Sequence, residues 1–85
     1  YPNPFVGSTT IRFALPATQA TVRLAVYDVA GRLVKVLAEG MLPAGLHEVR
    51  WDGTDAAGNP APAGTYLCRL EQGERQVTQT IIMQR

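Results

Sequence analysis

The stretch TVRLAVYDVAGRLVKVL, residues 21–37, decides how the chain reads. Val22, Leu24 and Val26 alternate with Thr21, Arg23 and Ala25, the period of a strand with one buried and one wet face. Ala30-Gly31 supplies a turn, since Gly tolerates positive φ. RLVKVL (residues 32–37) then returns as another strand, apolar on nearly both sides at Leu33, Val34, Val36 and Leu37. No segment of the chain sustains a helical period.

Working outward, Ile11, Phe13 and Leu15 alternate with Thr10, Arg12 and Ala14 in TTIRFALP (residues 9–16), and Pro16 ends that strand because it cannot donate to a ladder. AEGMLPAG (residues 38–45) reads as a connection, from its Gly40, Pro43 and Gly45. HEVRW (residues 47–51) resumes alternation with His47, Val49 and Trp51 on one face, and DGTDAAGNPAPA (residues 52–63) is the longest loop. TYLCRLE (residues 65–71) places Tyr66, Cys68 and Leu70 together. Gln72-Gly73-Glu74 then turns the chain into residues 76–83, where Val77, Ile81 and Met83 alternate with Thr78, Thr80 and Ile82. Six strands result, or seven if residues 1–6 add an edge. Short strands at this spacing predict an all-β fold, an antiparallel, immunoglobulin-like (fibronectin III-like) β-sandwich. Residues 1–85 read as a single domain, with 1–7 a linker or an edge strand. The predicted core is Ile11, Phe13, Leu15, Val22, Leu24, Val26, Leu33, Val36, Val49, Trp51, Tyr66, Cys68, Leu70, Ile81 and Met83.

Composition argues against catalysis. The 85 residues contain one His (His47), one Cys (Cys68), one Ser (Ser8) and one Lys (Lys35), without the clustering that a nucleophilic triad or a zinc site needs. No enzyme and no cofactor are predicted. A net charge of +1, with the Arg residues interleaved among acids, opposes nucleic-acid binding. No apolar run approaches the ~18 residues of a membrane span, so no membrane insertion is predicted. A chain opening on Tyr1 instead of Met reads as part of a longer protein, with any targeting peptide upstream.

Three features carry competing readings. Asp52, Asp55 and Asn59 lie in a Gly-containing loop and are weak calcium candidates. Calcium wants six to eight oxygens and usually a bidentate carboxylate, so hydrogen bonding of Asp52 and Asp55 to nearby amides is the preferred role. Trp51, Tyr66 and Tyr27 could form an aromatic platform for sugar or peptide. Trp51 instead shares an apolar face with Val49, and Tyr27 breaks the alternation of its strand, so Tyr27 is the exposed candidate. His47 could act as a pH switch, but beside Glu48 it reads as a solvated or hydrogen-bonded strand residue. Cys68 reads as a small core hydrophobe.

Five pieces stand in order along the chain: Tyr1-Pro2-Asn3-Pro4-Phe5, Ser8 to Phe13, Tyr27-Asp28 with Gly31-Arg32, the run from His47 through Trp51-Asp52-Gly53 and Asp55 to Gly58, and Ala63-Gly64-Thr65-Tyr66. A short apolar ending, Ile81-Ile82-Met83, follows. Together they resemble the immunoglobulin-like C-terminal module related to the domain of the flagellar hook-capping protein, and the sorting domain of type IX secretion. The departures are Val6-Gly7 where Asn-Pro is common, and Gln79 and Gln84 where basic residues are frequent. The resemblance implies a non-enzymatic C-terminal domain that directs secretion or cell-surface attachment of a larger bacterial protein across the outer membrane. Its implied partners are the upstream domain of the same chain and the secretion machinery or a cell-surface component. Ile81, Ile82, Met83, Gln84 and Arg85 are the candidate sorting or interaction residues. The alternative is a structural, adhesion or self-assembly module that uses exposed sheet edges for strand addition, with the terminal strands as the edges. Carbohydrate binding ranks below both.

Overall fold

Alternating apolar positions, broken by Gly, Pro and Asp at the turns, fold into strands throughout the computed structural model, which describes residues 4–15 and 20–84. Seven strands follow in order: β1 Pro4–Val6, β2 Thr9–Leu15, β3 Ala20–Asp28, β4 Leu33–Leu42, β5 Gly45–Trp51, β6 Gly64–Gln72 and β7 Arg75–Gln84. A five-stranded sheet runs β1-β7-β6-β3-β4, and β2 pairs with β5 in a second sheet of two strands. The pairs are antiparallel apart from β1, which lies parallel to β7 with Pro4 opposite Ile82 and Val6 opposite Gln84. The all-β, immunoglobulin-like reading therefore holds, with a three-residue edge strand as its seventh member.

The two sheets bury one core. Ile11, Phe13 and Leu15 of β2 meet Val22, Leu24 and Val26 of β3, and Tyr66, Cys68, Ile81 and Met83 come from β6 and β7. Trp51 is its largest fully buried side chain and meets the Tyr66 ring edge-on at 5.2 Å. Val49 and Leu70 are partly buried against this cluster.

β4 corrects the sequence reading twice. The stretch 38–45 is mostly strand: β4 runs on to Leu42, its residues Ala38 to Leu42 pairing with Leu24 to Ala20, and only Pro43 and Ala44 separate it from β5. Cross-strand pairing outweighs the turn signal of Gly40, which is accommodated within the strand at φ +121°. The inward positions also differ. Leu33 is 50% exposed and Val36 only half-buried, whereas Val34, Leu37, Ala38 and Leu42 pack on the core. The register explains this, because Leu24 and Ala25 oppose Ala38 and Val36, and Val26 and Tyr27 oppose Lys35 and Leu33. Each single step on β3 spans two residues on β4, leaving Leu37 and Val34 as extra residues that reset the alternation.

Val77 is also displaced from the expected pattern. It is 58% exposed, beside a depression of about 100 Å³ lined with Ala14, Leu70, Gln72 and Arg75. Two buried alanines were not anticipated. Ala61 joins the core from the long loop, and Ala25 lies on the outer face of the large sheet between Arg69 and Val36 in register.

Candidate interaction surfaces

Two Asp-bearing turns stand at one end of the sandwich, on either side of one recess. Residues 28–32 (DVAGR) close the β3–β4 hairpin. Asp28 Oδ1 accepts from the N–H groups of Ala30 and Arg32 at 3.0 and 2.9 Å, and Arg32 Nε donates to Oδ2 at 2.9 Å. Two backbone bonds, Asp28 N–H to Arg32 C=O and Gly31 N–H to Asp28 C=O, complete the turn around Gly31 at φ +87°. The Asp28 carboxyl is held below the ordinary aspartate range, chiefly by the Arg32 backbone N–H.

Residues 55–59 (DAAGN) repeat this construction inside the long loop. Asp55 Oδ1 accepts from Ala57 and Asn59 N–H at 3.0 Å each, Asp55 N–H donates to Asn59 C=O, and Gly58 N–H donates to Asp55 C=O with φ at +86°. Tertiary bonds then fix the loop. Trp51 Nε1 donates to Thr54 C=O at 2.9 Å, Ala61 N–H to Gly53 C=O at 2.9 Å, Ala56 N–H to Val34 C=O of β4 at 3.0 Å, and the Tyr66 hydroxyl to Pro62 C=O. Asp52 Oδ1 accepts from the Thr54 hydroxyl and N–H and lies 3.7 Å from Lys35 Nζ; the hydroxyl contributes most to lowering its pKa.

Of the calcium candidates, Asp52 and Asp55 thus spend Oδ1 on turn amides, and Asn59 contributes its backbone to the same turn. Among the described residues no group of three or more His, Cys, Asp or Glu is arranged to hold a metal ion. Between the two turns lies an open recess of about 540 Å³ whose walls include Val29, Leu33, Pro62 and Tyr66. Val29 at 71% exposure is its most exposed large apolar side chain.

The aromatic residues divide between core and surface. Trp51 and Tyr66 are buried, and Tyr27 is half-buried on the outer face of the large sheet. There Arg69 stacks its guanidinium 4.6 Å above the Tyr27 ring centre, and Arg23 donates to the Tyr27 hydroxyl at 2.6 Å. Glu39 and Glu71 flank Arg23 at 3.5 and 3.8 Å. The arrangement is a polar network and not an open aromatic strip. His47 stacks on Phe13, its cross-strand neighbour, and its Nε2 stands 2.7 Å from the Pro43 carbonyl, so Nε2 carries a proton that it donates there. Cys68 is buried, and burial pushes its thiol up to about 11.

The five candidate sorting residues do not share one surface. Ile81 and Met83 point into the core, Ile82 is half-buried, Gln84 is exposed, and Arg85 lies outside the described residues. Sequence reasoning found the acidic turns but not their shared design, although D-x-A-G at positions 28 and 55 carried the signal.

Known proteins share this fold. FlgD, the basal-body rod modification protein of Escherichia coli K12, is 38% identical over 61 residues, which is 69% of this chain and 26% of that protein. The chain thus spans about a quarter of the length of the curated relatives it matches. The FlgD structure from Xanthomonas campestris superposes with a TM-score of 0.67 at 30% identity, over 87% of this chain and 55% of that one. Dimeric latent PorU from Porphyromonas gingivalis superposes with a TM-score of 0.72 at 26% identity, over 98% of this chain and 9% of that one. The profile of the FlgD Ig-like domain matches residues 3–76, most of the sequence, so the chain belongs to the FlgD Ig-like domain family.

Proposed function

We propose that this module is a non-enzymatic C-terminal accessory domain that directs secretion or surface attachment of a larger bacterial protein, as a type IX-like sorting domain. The observation that carries the reading is the likeness to PorU. It extends over 98% of this chain yet occupies 9% of the PorU chain, the proportion of an accessory domain on a larger protein. A folded β7 turns Ile81 and Met83 inward, so a receptor reading the folded module meets the strand through Ile82 and Gln84. The signal is then a surface of the whole sandwich together with the exposed side of its last strand. Fusing residues 1–85 to a periplasm-targeted reporter tests it. The reporter reaches the cell surface or medium only in a host with type IX machinery; export without that machinery, or none with it, overturns the reading.

A second reading, a structural module within an assembly, rests on the FlgD likeness. The Xanthomonas FlgD structure is described in terms of hook capping essential for flagellar assembly. Replacing the matching segment of Escherichia coli FlgD with this chain tests the assembly reading: motility is restored if the module serves as an assembly part, and is absent otherwise.

A further inference from the structure

β7 is the long strand of the large sheet whose outer edge stands open. β1 covers only Ile82, Met83 and Gln84, so among the described residues nothing pairs with the outer side of residues 75–81, while β6 pairs with their inner side without a register break. The other free edges are obstructed. β4 carries two register irregularities, Lys35, Glu39 and the positive-φ Gly40, and its Val34 carbonyl already accepts from Ala56. β2 has Arg12 at its centre, β5 has Glu48 and Arg50, and β1 begins at Pro4, which has no N–H to offer. Bulges, charges and prolines are the devices by which proteins prevent strands from adding to their edges.

Residues 76–84 (QVTQTIIMQ) have none of these: no charge, no proline and no break, in a run rich in Val, Thr and Ile. Residues 75–79 are exposed, and the half-uncovered Val77 sits at the seam between the sheets. We propose that residues 75–81 of two copies of this chain pair antiparallel, edge to edge, about a two-fold axis at Thr78, joining two five-stranded sheets into one. In that register Val77 opposes Gln79 of the other copy, Gln76 opposes Thr80, and Arg75 opposes Ile81, so no like charges meet. A second copy fits because it supplies a ladder of the same length whose one charge, Arg75, faces Ile81, bounded in each copy by β1, and a net charge of +1 per chain adds little repulsion. Such a closed, self-complementary contact is the geometry of an isologous dimer.

Sedimentation of the 85-residue chain from micromolar to millimolar concentration tests the pairing. The wild type passes from monomer to dimer. V77K/Q79K sets lysine against lysine on both sides of the axis and weakens the dimer at least tenfold, with the thermal midpoint of the dilute monomer unchanged. V77E/Q79E is likewise monomeric alone, and mixing it with V77K/Q79K restores the dimer. A wild type that stays monomeric throughout, a V77K/Q79K protein that dimerises as well as wild type, or a mixture that fails to associate each overturns the proposal. So does slow amide exchange along residues 75–81 that is independent of concentration, because a segment of the same chain would then cover the edge.

Discussion

Residues 28–32 and 55–59 are one turn built twice, down to the aspartate oxygen that accepts two amides and the glycine three positions on. Their surroundings differ. The first closes a hairpin and is braced by its own Arg32. The second is clamped by Trp51, Tyr66 and the edge of β4, and its loop delivers Ala61 to the core. Five residues suffice to specify the turn, but only the tertiary bonds decide whether its loss reaches the rest of the molecule.

The largest test of this contrast removes the clamp. Trp51→Ala empties a fully buried site and should cost about 3–5 kcal/mol, the range for large aromatic truncations. Hydrogen exchange should then accelerate through residues 52–63, while the amides of 28–32 keep their protection up to global unfolding. Equal acceleration in both turns would dissolve the distinction.

Next in size are the glycines. Nothing lies within 4 Å of a Cβ built at Gly31 or Gly58, so alanine meets strain from positive φ and no clash. Each substitution should cost about 1–2 kcal/mol, the penalty for an L-residue in the left-handed region. Chemical denaturation giving a much larger loss for Gly58→Ala than for Gly31→Ala would show that the loop's tertiary bonds amplify the strain.

Acid gives a smaller effect. The folded-state pKa values of Asp28 and Asp52 lie below their ordinary values, so their contribution is present at neutral pH and is lost as the pH falls through the folded pKa. Thermal midpoints followed downward from about pH 5 should fall less steeply for Asp28→Asn and Asp52→Asn than for wild type. Unchanged acid limbs would count against those hydrogen bonds. The smallest effect belongs to Arg32→Ala. With the Arg32 side chain 82% exposed, loss of its ion pair should leave the thermal midpoint within measurement error. A clear drop would show that the hairpin turn needs its brace.

Much of this was legible beforehand. β2, β3, β5 and β6 alternate cleanly, and their inward residues Ile11, Val22, Trp51 and Cys68 are buried as their period predicts. β4 was legible only as apolar. Its two irregularities depend on which β3 residue faces which β4 residue, a long-range fact that a local period does not contain. Val77 shows the same limit, since its surroundings include Ala14 of the other sheet, which a local period does not contain. The acidic residues of the long loop were visible as candidates, but the bonds that pin it come from Trp51, Tyr66 and Val34, the last of them distant in sequence.

The short β1 has a mechanical consequence. It lies parallel to β7, so a load drawn backward at Pro4 and forward at Gln84 slides the two strands along each other and does not peel them apart. Shear strains all their hydrogen bonds together, whereas peeling strains them one at a time. Three paired residues therefore act as a latch, set where tension along the polypeptide would first be felt.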